Sequence, residues 1–484
     1  MRCVILRVWP WPHCIIGTVS TVDAIFKKYD IRGLVGTEIT PEKVAAIAAS
    51  FVDVLDLAGK SVVVGHDMRD SSVGFVDAFI EGATARGADV INIGLCSTDE
   101  CYFASGHLDA ASAMFTASHN PSTYNGIKFS RAGALGISME TGLSEILSGA
   151  NNYLASGIKE VAEPGYASEH DIMGEYAANL RELVALDAIR PLKVVVDAAN
   201  GMGGLTVPSV LGTDAGLSEL PVEIIPMYFE LDGSFPNHEA NPLDPKNLVD
   251  LQKRVIEEKA DIGLAFDGDA DRCFVIDEKG NAVSPSAVAA IVAVSEIARA
   301  RAQGVTDIHI LHNLLTSRAV KEFIEAAGAK ATRTRVGHSL IKDEMARTGA
   351  IFGGEHSAHY YFKDFFGADS GMLAAMHVMR EFGSQDLPLS EFAAKFDPYF
   401  ASGEINSTVS DAGAKMAQIK TEFQDFEIDE LDGVTVTSKP EQSPWWWFNV
   451  RSSNTEPLLR LNVESEDKSA CNELTSRVLG LIKS

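Results

Sequence analysis

Three short apolar runs stand out along the chain, and each is followed by a polar turn and then by a helical pattern. The runs lie at residues 61–67 (SVVVGHD), 193–200 (KVVVDAAN) and 307–313 (DIHILHN). Continuous runs of β-branched residues of this length are typical of strands that are covered on both faces of a sheet. The pattern predicts one α/β unit that is used three times, although the three runs share little sequence identity.

Helical patterns occur before and after these runs, as expected for an α/β protein. Proline begins three of the helices, a position that suits the first helical turn. Helices are predicted at residues 41–57, 73–86, 245–258, 285–303 and 318–327.

The C-terminal region follows a different pattern. Apolar and polar residues alternate at 433–437, 445–450 and 458–463, which predicts an antiparallel sheet, and residues 469–482 form a closing amphipathic helix. We expect a smaller α+β domain here. The tryptophan triplet in the second run is interpreted as part of a strand, with a sugar-binding platform as the alternative.

Composition and charge narrow the functional class. Apolar residues make up 46% of the chain and charged residues 22%, the balance of a soluble globular protein. The net charge of −26 argues against partners such as nucleic acid or an anionic membrane, which bind basic surfaces. No apolar run reaches the roughly 18 residues of a transmembrane helix. The six cysteines are scattered without a CxxC pair, which favours reduced thiols and a cytoplasmic location.

Residues 1–21 are set apart from the rest of the chain. Their short basic start and apolar stretch resemble a signal peptide, but two prolines interrupt the stretch and no small-x-small cleavage site precedes Val22. We interpret them as a disordered extension or an upstream-start artefact.

The first candidate for chemistry is Ser118, in the stretch FTASHNPSTYNGIK that follows an apolar run. A loop after a strand can present a hydroxyl as a nucleophile. The neighbouring His119 is expected to point away from Ser118, so a Ser–His dyad is not expected, whereas Lys128 could return to the site. A hydrogen-bonded turn is the alternative.

Asp267, Asp269 and Asp271 form the second candidate, between two strand-like runs. Three carboxylates so close together repel one another, and a cation such as Mg²⁺ or Ca²⁺ removes that repulsion. An EF-hand loop does not fit, because Arg272 stands where its sharp turn needs glycine. In the DxDx[TV] motif of haloacid-dehalogenase phosphatases, Asp271 would occupy the Thr/Val position. A solvated acidic turn is the remaining alternative.

Two further segments carry polar groups suited to a sugar phosphate. In GGEHSAHYY, Glu355, Ser357 and His359 alternate, and in an extended segment all three would share one face toward sugar hydroxyls. In RSSNTEP, Arg451 with hydroxyls and loop N–H groups would make a phosphate clamp. A strand or turn and a polar hairpin are the respective alternatives.

Single candidates lie in two other segments. Arg32 in YDIRG is a possible phosphate ligand, and VGHSLIK offers His338 and Lys342. A lone histidine is more often structural.

Taken together, TASHNP, DGDADR, GGExSxH and RxSNTxP, in this order and spacing, resemble the α-D-phosphohexomutase family. The resemblance runs from about Phe26 to the C-terminus and is nearest to the phosphomannomutase/phosphoglucomutase branch. It implies three related α/β domains with mixed sheets and a C-terminal α+β domain like the TATA-binding protein, around a central cleft. The implied divisions are an extension at 1–21, domain I with a phosphoserine loop at 22–168, domain II with a metal loop at 169–280, domain III with a sugar-binding loop at 281–388, and a C-terminal domain with a phosphate-binding loop at 389–484.

The resemblance also implies a role for each candidate residue. Ser118 would carry the phosphoryl group and would hold Mg²⁺ together with Asp267, Asp269 and Asp271. Lys128, Arg272 and His338 would be catalytic. The residues implied to bind substrate are Tyr29, Arg32, Glu355, Ser357, His359, Arg451, Ser453, Asn454 and Thr455.

The activity implied is the interconversion of hexose 6-phosphate and hexose 1-phosphate. It proceeds through a phosphoserine and a hexose 1,6-bisphosphate, which also serves as activator. The order of preference is mannose and then glucose, because Asn454 matches this branch where phosphoglucosamine mutases usually have glycine. Ala358 and Leu315 depart from positions where members often have glycine and lysine. Phosphoglucosamine mutase and a metal-dependent sugar-phosphate phosphatase are the alternatives, and a monomer or dimer is expected.

Overall fold

The computed structural model describes residues 21–452 and 458–484, and only the backbone of residues 338 and 339. Four sheets follow one another along the chain. The extension predicted at 1–21 lies, apart from Thr21, outside the described residues. Within the described part, no helix is both long and apolar enough to cross a bilayer.

The first region holds a mixed seven-stranded sheet with helices packed against it. Its elements are β1 (Ile31–Leu34), α1 (Pro41–Val54), β2 (Ser61–His66), α2 (Ser72–Ala85), β3 (Asp89–Leu95), α3 (Thr98–His107), β4 (Ala111–Phe115), β5 (Tyr124–Arg131), β6 (Leu135–Gly136), α4 (Ser144–Ser156) and β7 (Ala167–Glu169). The strand order is β1-β5-β4-β2-β3-β7, with β6 beside β5.

The second region holds a mixed five-stranded sheet in the order β12-β11-β10-β8-β9. The elements are α5 (Met173–Leu183), β8 (Leu192–Asp197), α6 (Gly203–Val210), β9 (Val222–Met227), α7 (Val249–Glu258), β10 (Ile262–Phe266), β11 (Cys273–Asp277) and β12 (Ala282–Val283). The helix predicted at 245–258 begins as a 3₁₀ turn over Pro245–Leu248 and becomes α-helical at Val249.

The third region repeats the five-stranded arrangement in the order β14-β13-β15-β16-β17. It is built from α8 (Pro285–Ala302), β13 (His309–Asn313), α9 (Arg318–Ala326), β14 (Lys330–Thr334), α10 (His338–Thr348), β15 (Phe352–Gly354), β16 (Tyr360–Phe362), β17 (Ala368–Asp369), α11 (Gly371–Gly383) and α12 (Leu389–Ala394).

The fourth region is the predicted α+β unit, and its sheet is antiparallel throughout. Its elements are β18 (Phe400–Ala401), β19 (Ile405–Thr408), α13 (Ala412–Glu422), β20 (Glu427–Asp429), β21 (Val434–Thr437), β22 (Trp446–Ser452), β23 (Leu458–Ser465) and α14 (Lys468–Lys483). Within β22, Trp446 is buried against Phe423 and Phe448, so Trp446 and Trp447 belong to a strand as predicted, and Trp445 directly precedes it.

The first three sheets share one internal order. A hairpin lies beside a central parallel strand, which lies beside a further parallel strand: β5-β4-β2-β3, β11-β10-β8-β9 and β16-β15-β13-β14. The three apolar runs of the sequence are the central strands β2, β8 and β13, so the predicted repeat is confirmed. The hairpin connections define three equivalent loops: the serine loop (116–123), the acidic loop (267–272) and the glutamate loop (355–359).

The core of the first region depends on a close approach between helices α1 and α2. A Cβ added at Gly82 of α2 would lie 2.2 Å from the carbonyl oxygen of Ala45 in α1. Gly74, in the first turn of the same helix, faces open space. The contact between the two helices therefore requires glycine at position 82 but not at position 74.

We predict opposite effects of alanine at these two positions. Gly82→Ala forces the helices apart and should lower stability by about 1–3 kcal/mol, the usual cost of overpacking. Gly74→Ala should leave stability unchanged or raise it by up to about 1 kcal/mol, because alanine favours the helix. Thermal and urea unfolding of the two variants beside the parent chain measures this, and an unaltered midpoint for Gly82→Ala would contradict it.

Candidate active site

The serine loop and the acidic loop meet at Ser118. Its Oγ donates a hydrogen bond to Asp267 Oδ2 at 3.0 Å and lies 3.5 Å from Arg272 Nη2. The Ser118 side chain is only 4% exposed, and its backbone has a φ of 51°, in the left-handed region that non-glycine residues rarely adopt. A non-glycine residue keeps this strained backbone conformation only where surrounding contacts stabilise it, and the conformation often marks a functional position.

Arg69 holds the serine loop in this shape. Its buried guanidinium donates to the carbonyl oxygens of Ser118 and Asn120 at 2.9 and 2.7 Å, and to those of Pro121 and Tyr124 at 2.8 and 2.9 Å. The carboxylate of Asp67, at the end of β2, pairs with the same guanidinium. Neither residue was predicted from the sequence, although a charged pair directly after a buried strand was a usable signal.

His119 lies beside Ser118 and not away from it, so that expectation is wrong. The distance from Ser118 Oγ to His119 Nδ1 is 3.2 Å, because the left-handed φ of Ser118 breaks the alternation of an extended chain. Arg272 Nη2 also donates to Nδ1, at 2.6 Å. Burial and the positive charge of Arg272 lower the pKa of His119 well below its usual value, so the ring is neutral. Its Nδ1 lone pair is taken up by Arg272, so it is not a free base for Ser118.

The three aspartates of the acidic loop are almost completely buried, which excludes the solvated acidic turn. Lys128 Nζ lies 2.7 Å from Asp269 Oδ2 and 2.7 Å from Asp271 Oδ2. Arg272 pairs with Asp267 at 2.8 Å. Lys128 thus returns to the site as predicted, and two cations stand against three carboxylates.

Burial and the excess of carboxylates over cations shift the pKa values of these side chains in different directions. Burial raises the pKa of Asp267 to about 7, more than Arg272 lowers it. Burial opposes ionisation of Asp269 too, but Lys128, the hydrogen bond from Thr98 and the charge of Arg272 together outweigh it and hold the pKa of Asp269 below its usual value. The pKa of Lys128 is raised well above its usual value, because Asp269 and Asp271 outweigh its burial. Lys128 is therefore a protonated donor here.

The acidic loop fits a divalent cation. One oxygen from each aspartate lies within 4.8 Å of the others. Asp269 Oδ1 and Asp271 Oδ1 are buried and accept no hydrogen bond among the described residues. Unsatisfied carboxylate oxygens are costly inside a protein, and hard oxygen ligands of this kind suit Mg²⁺.

Thr98, at the start of α3, supports the same loop and was not predicted from the sequence either. Its hydroxyl donates to Asp269 Oδ2 at 2.6 Å, and its backbone N–H donates to the Asp269 carbonyl oxygen at 3.0 Å. Ser97 caps the helix by accepting from the N–H of Glu100. The first region therefore positions a carboxylate of the second.

The glutamate loop is a tight hairpin turn, so the extended arrangement predicted for Glu355, Ser357 and His359 is wrong. Glu355 N donates to the His359 carbonyl oxygen at 3.0 Å, and Ala358 adopts a φ of 66°. The Glu355 carboxylate is buried and accepts from Tyr361 Oη at 2.9 Å. Ser357 is half-buried at the turn.

His359 nevertheless brings the glutamate loop to the acidic loop. One ligand-capable atom each of His359, Asp369 and Asp271 lie within 4.8 Å of one another. His359 Nδ1 lies 2.9 Å from Asp369 Oδ2, and Lys342 Nζ lies 2.9 Å from Asp369 Oδ1. Although burial lowers the pKa of His359, the hydrogen bond with Asp369 and the negative charges of Asp271 and Asp369 together raise it by more. All three hairpin loops therefore converge on one place.

The remaining candidates lie around this centre or outside the described residues. Arg32 Nη1 donates to Asn120 Oδ1 of the serine loop at 2.6 Å. The Tyr29 hydroxyl lies close to Gly337, next to α10. Arg451 pairs with Glu404 in the last region. The side chain of His338 and the whole of Ser453, Asn454 and Thr455 lie outside the described residues.

Known proteins resemble this chain over nearly its whole length. A protein of Xanthomonas campestris pv. campestris named as phosphohexose mutases is 37% identical over 465 residues, which cover 95% of this chain and 99% of that protein. A phosphomannomutase of Vibrio cholerae serotype O1 is 36% identical over 469 residues, covering 95% and 98%. The chain belongs to the phosphoglucomutase/phosphomannomutase family.

Models of the four phosphoglucomutase/phosphomannomutase domains match successive parts of the chain. The matches are alpha/beta/alpha domain I at 23–154, domain II at 174–280, domain III at 284–399 and the C-terminal domain at 404–481. A crystal structure of a family protein from Burkholderia thailandensis has a TM-score of 0.82 at 28% identity, covering 96% of this chain and 98% of that one. The implied fold is confirmed, and the protein is an enzyme of the phosphotransferase mutase type.

A buried carboxylate ties the first three regions of this mutase together beneath the site. Asp99 of α3 accepts hydrogen bonds from Ser97, from Tyr176 Oη of α5 at 2.8 Å and from Ser370 Oγ at 2.6 Å. Ser370 also caps α11, directly after Asp369. Burial raises the pKa of Asp99 to about 6, more than its three hydroxyl donors lower it.

We predict that Asp99 makes stability fall as the pH rises. Its folded-state pKa lies above the unfolded value of 3.8, so the folded protein binds the extra proton between about pH 4 and pH 6. The parent loses this stabilisation as the pH rises, whereas Asp99→Asn has no proton to lose. The free energy of unfolding of Asp99→Asn relative to the parent should therefore rise across this range, by up to about 3 kcal/mol at pH 7. Urea unfolding of both proteins at pH 4.5, 6 and 7 measures the difference, and a difference independent of pH would refute the assignment.

Proposed function

We propose that the enzyme interconverts hexose 6-phosphate and hexose 1-phosphate through a phosphoserine at Ser118 and a hexose 1,6-bisphosphate. Mannose phosphate is the preferred substrate and glucose phosphate the second. The observation that carries this proposal is the position of the Ser118 hydroxyl, 3.0 Å from Asp267 and close to Arg272 at the convergence of three loops.

The buried position of Ser118 suits a carrier of the phosphoryl group. Phosphoryl transfer depends on in-line positioning and on neutralising charge at the phosphoryl oxygens. Arg272 offers N–H donors beside Ser118, and Lys128 brings a second positive charge to the adjoining carboxylates. Asp267, Asp269 and Asp271 would hold Mg²⁺, which supplies further neutralisation of the phosphoryl group when bound.

The glutamate loop is proposed to orient the sugar. Glu355, Ser357 and His359 lie on the hairpin that approaches the acidic loop, and their oxygen and nitrogen atoms can bond sugar hydroxyls. Asp369 fixes the ring of His359 from behind, so that its other nitrogen keeps one direction. Tyr29 and Arg32 complete the wall beside the serine loop.

One phosphate-binding group must accept both ends of the sugar. The reaction passes through a bisphosphate that turns over, so the phosphate that is not reacting alternates between O1 and O6. Because the net charge of −26 repels an anionic substrate, its binding depends on local cations. Arg451 is the proposed centre of this clamp, since its guanidinium can hold a phosphate through two parallel bonds.

The alternative of a phosphatase is less well supported. A phosphatase needs water at the phosphoserine, whereas the 4% exposure of Ser118 restricts water and favours transfer to a bound sugar hydroxyl. Preference for a glucosamine phosphate has no comparable support among the described residues.

We predict that Ser118→Ala abolishes mutase activity and the covalent phosphate. After incubation with hexose 1,6-bisphosphate, intact-mass measurement should show a phosphate-sized adduct on the parent and on Ser148→Ala, an exposed serine of α4. Ser118→Ala should show none. Coupled assays with mannose 1-phosphate and glucose 1-phosphate, with phosphate release measured in parallel, test the reaction and the sugar order.

Two results would count against this proposal. An adduct that persists in Ser118→Ala would move the carrier to another residue. Release of inorganic phosphate faster than isomerisation would favour the phosphatase.

We predict that activity depends on Mg²⁺ and that Thr98 lowers the Mg²⁺ concentration required for half-maximal activity. Thr98→Val removes the hydrogen bond to Asp269 at nearly constant volume and should raise the half-saturating Mg²⁺ concentration about tenfold, as for other residues that support metal ligands. Thr98→Ser keeps the hydroxyl and should stay near the parent. Mg²⁺ titration followed by thermal shift supplies a second readout. Full activity after exhaustive EDTA treatment would disprove the metal assignment.

A further inference from the structure

Helix α10 carries a buried lysine to which the proposed function gives no role. Lys342 is only 5% exposed, and a lysine is almost never this deeply buried unless its charge is paired. The helix is anchored by Ile341 and Met345, which pack against Leu311 and Tyr361 of the third sheet. The helix thus holds Lys342 at a fixed place beside that sheet.

Two groups from different regions contact the ammonium group of Lys342. Its Nζ lies 2.9 Å from Asp369 Oδ1, at the end of β17. It also lies 3.6 Å from the centre of the Tyr102 ring, which belongs to α3 of the first region and is 6% exposed. A cation over an aromatic ring is attracted to the negative face of the ring, most strongly where water is excluded. Lys342 is thus held between a carboxylate of the third region and a ring of the first.

Asp369 is shared between Lys342 and His359. Its Oδ1 faces the lysine, and its Oδ2 lies 2.9 Å from His359 Nδ1. The carboxylate is 2% exposed, and the next residue, Ser370, donates to Asp99 beneath the site. Because a carboxylate is planar, an ammonium group that fixes one of its oxygens also fixes the direction of the other. Lys342 can therefore act on the orientation of the His359 ring through one intervening group.

A cavity on the other side of Lys342 leads toward solvent. It has a volume of about 220 Å³. The residues that line it include Ala134, Leu135, Lys342, Met345, Lys363 and Phe366. Leu135 is 48% exposed and Lys363 is also exposed, so one wall of the cavity lies at the surface. The Lys342 side chain therefore runs from a solvent-accessible space to the buried Asp369, and shortening it would open a channel of its own shape to the carboxylate.

We propose that Lys342 is a positioning residue of the mutase reaction, which fixes Asp369 so that His359 meets the sugar in one orientation. This role rests on the proposed function, because that function assigns the sugar to His359. Tyr102 holds the ammonium group from the first region, so the arrangement forms only where the first and third regions are docked. Without the lysine the His359 ring would take other directions, and a substrate held by its phosphate would be aligned less often for transfer.

The first test compares Lys342→Ala with the parent in steady-state assays with mannose 1-phosphate. The kcat should fall about tenfold or more, because small errors of position cost that much in rate. The KM should change by no more than about twofold, because the contacts to the phosphate remain. Alanine keeps Cβ, so the deleted atoms are those of propylammonium. Propylammonium chloride should therefore enter from the cavity and restore kcat several-fold, whereas 1-propanol, which has the same length but no charge, should not. Ionic strength is held constant.

Lys363 provides the matched control, since it lines the same cavity but is exposed. Lys363→Ala changes the net charge by the same amount and should leave kcat near the parent value, with no response to propylammonium. A double variant supplies a second comparison. Lys342→Ala should reduce the residual activity of His359→Ala only slightly, because the lysine acts through that histidine.

A spectroscopic measurement tests the same contact without turnover. In protein labelled with ¹³C at histidine Cε1, the His359 signal is assigned by its absence in His359→Ala. The signal should shift in Lys342→Ala, return toward the parent position with propylammonium, and stay unchanged in Lys363→Ala. If Lys342→Ala does not fold, Lys342→Met keeps most of the stem and should show the same shift and the same loss of kcat.

Several results would overturn this role for Lys342. They are an unchanged kcat, equal restoration by 1-propanol and propylammonium, an undiminished loss in the His359→Ala background, and an unshifted His359 signal. The unshifted signal would do so even if mutase activity is established. If instead neither mannose phosphate nor glucose phosphate is isomerised, the proposed function fails, and the signal still decides whether Lys342 orients His359.

Discussion

Three carboxylates on one hairpin loop can be buried only if positive charge meets them inside the protein. Asp267 is paired by Arg272 of its own loop, whereas Asp269 and Asp271 are paired by Lys128, which comes from a strand of another sheet. Removing an isolated charge from water costs far more than a folded protein's net stability, so the two sheets cannot separate cheaply. The docking of the first region on the second is thereby linked to the chemistry of the site.

The repeated sheet order explains why the loops meet. In each of the first three regions the strand next to the central one ends in a hairpin, and the connections are the serine, acidic and glutamate loops. Equivalent strands thus deliver the serine proposed to carry the phosphoryl group, the carboxylates proposed to hold a metal ion and the groups proposed to bind the sugar. Under this proposal the function divides among three copies of one architecture, and each copy is incomplete without the others. Asp99, which bonds to side chains of all three regions, lies at their junction.

The sequence predicts what depends on local pattern and misses what depends on contacts between distant residues. The composition of a run such as 61–67 is sufficient to predict a buried strand, and the three central strands were predicted from such runs. Arg69 and Thr98 carry no such mark, because their importance lies in which carbonyl or carboxylate they reach across a sheet or a domain boundary. The expected orientation of His119 was wrong for another reason. The positive φ of Ser118 turns His119 toward the serine, and the spacing of side chains in a sequence does not reveal φ.

The free enzyme pairs internally the charges that its ligands are proposed to meet. Lys128 stands between two carboxylates that would hold a cation, and Glu404 stands between Arg460 and Arg451, the proposed centre of the phosphate clamp. In each place a side chain of opposite charge lowers the repulsion within a like-charged cluster, so that both clusters can be kept in shape without ligand. A ligand that binds at either place as proposed must displace or rearrange a protein group. With a net charge of −26, binding depends on these local exchanges, because the overall field of the protein repels a sugar phosphate.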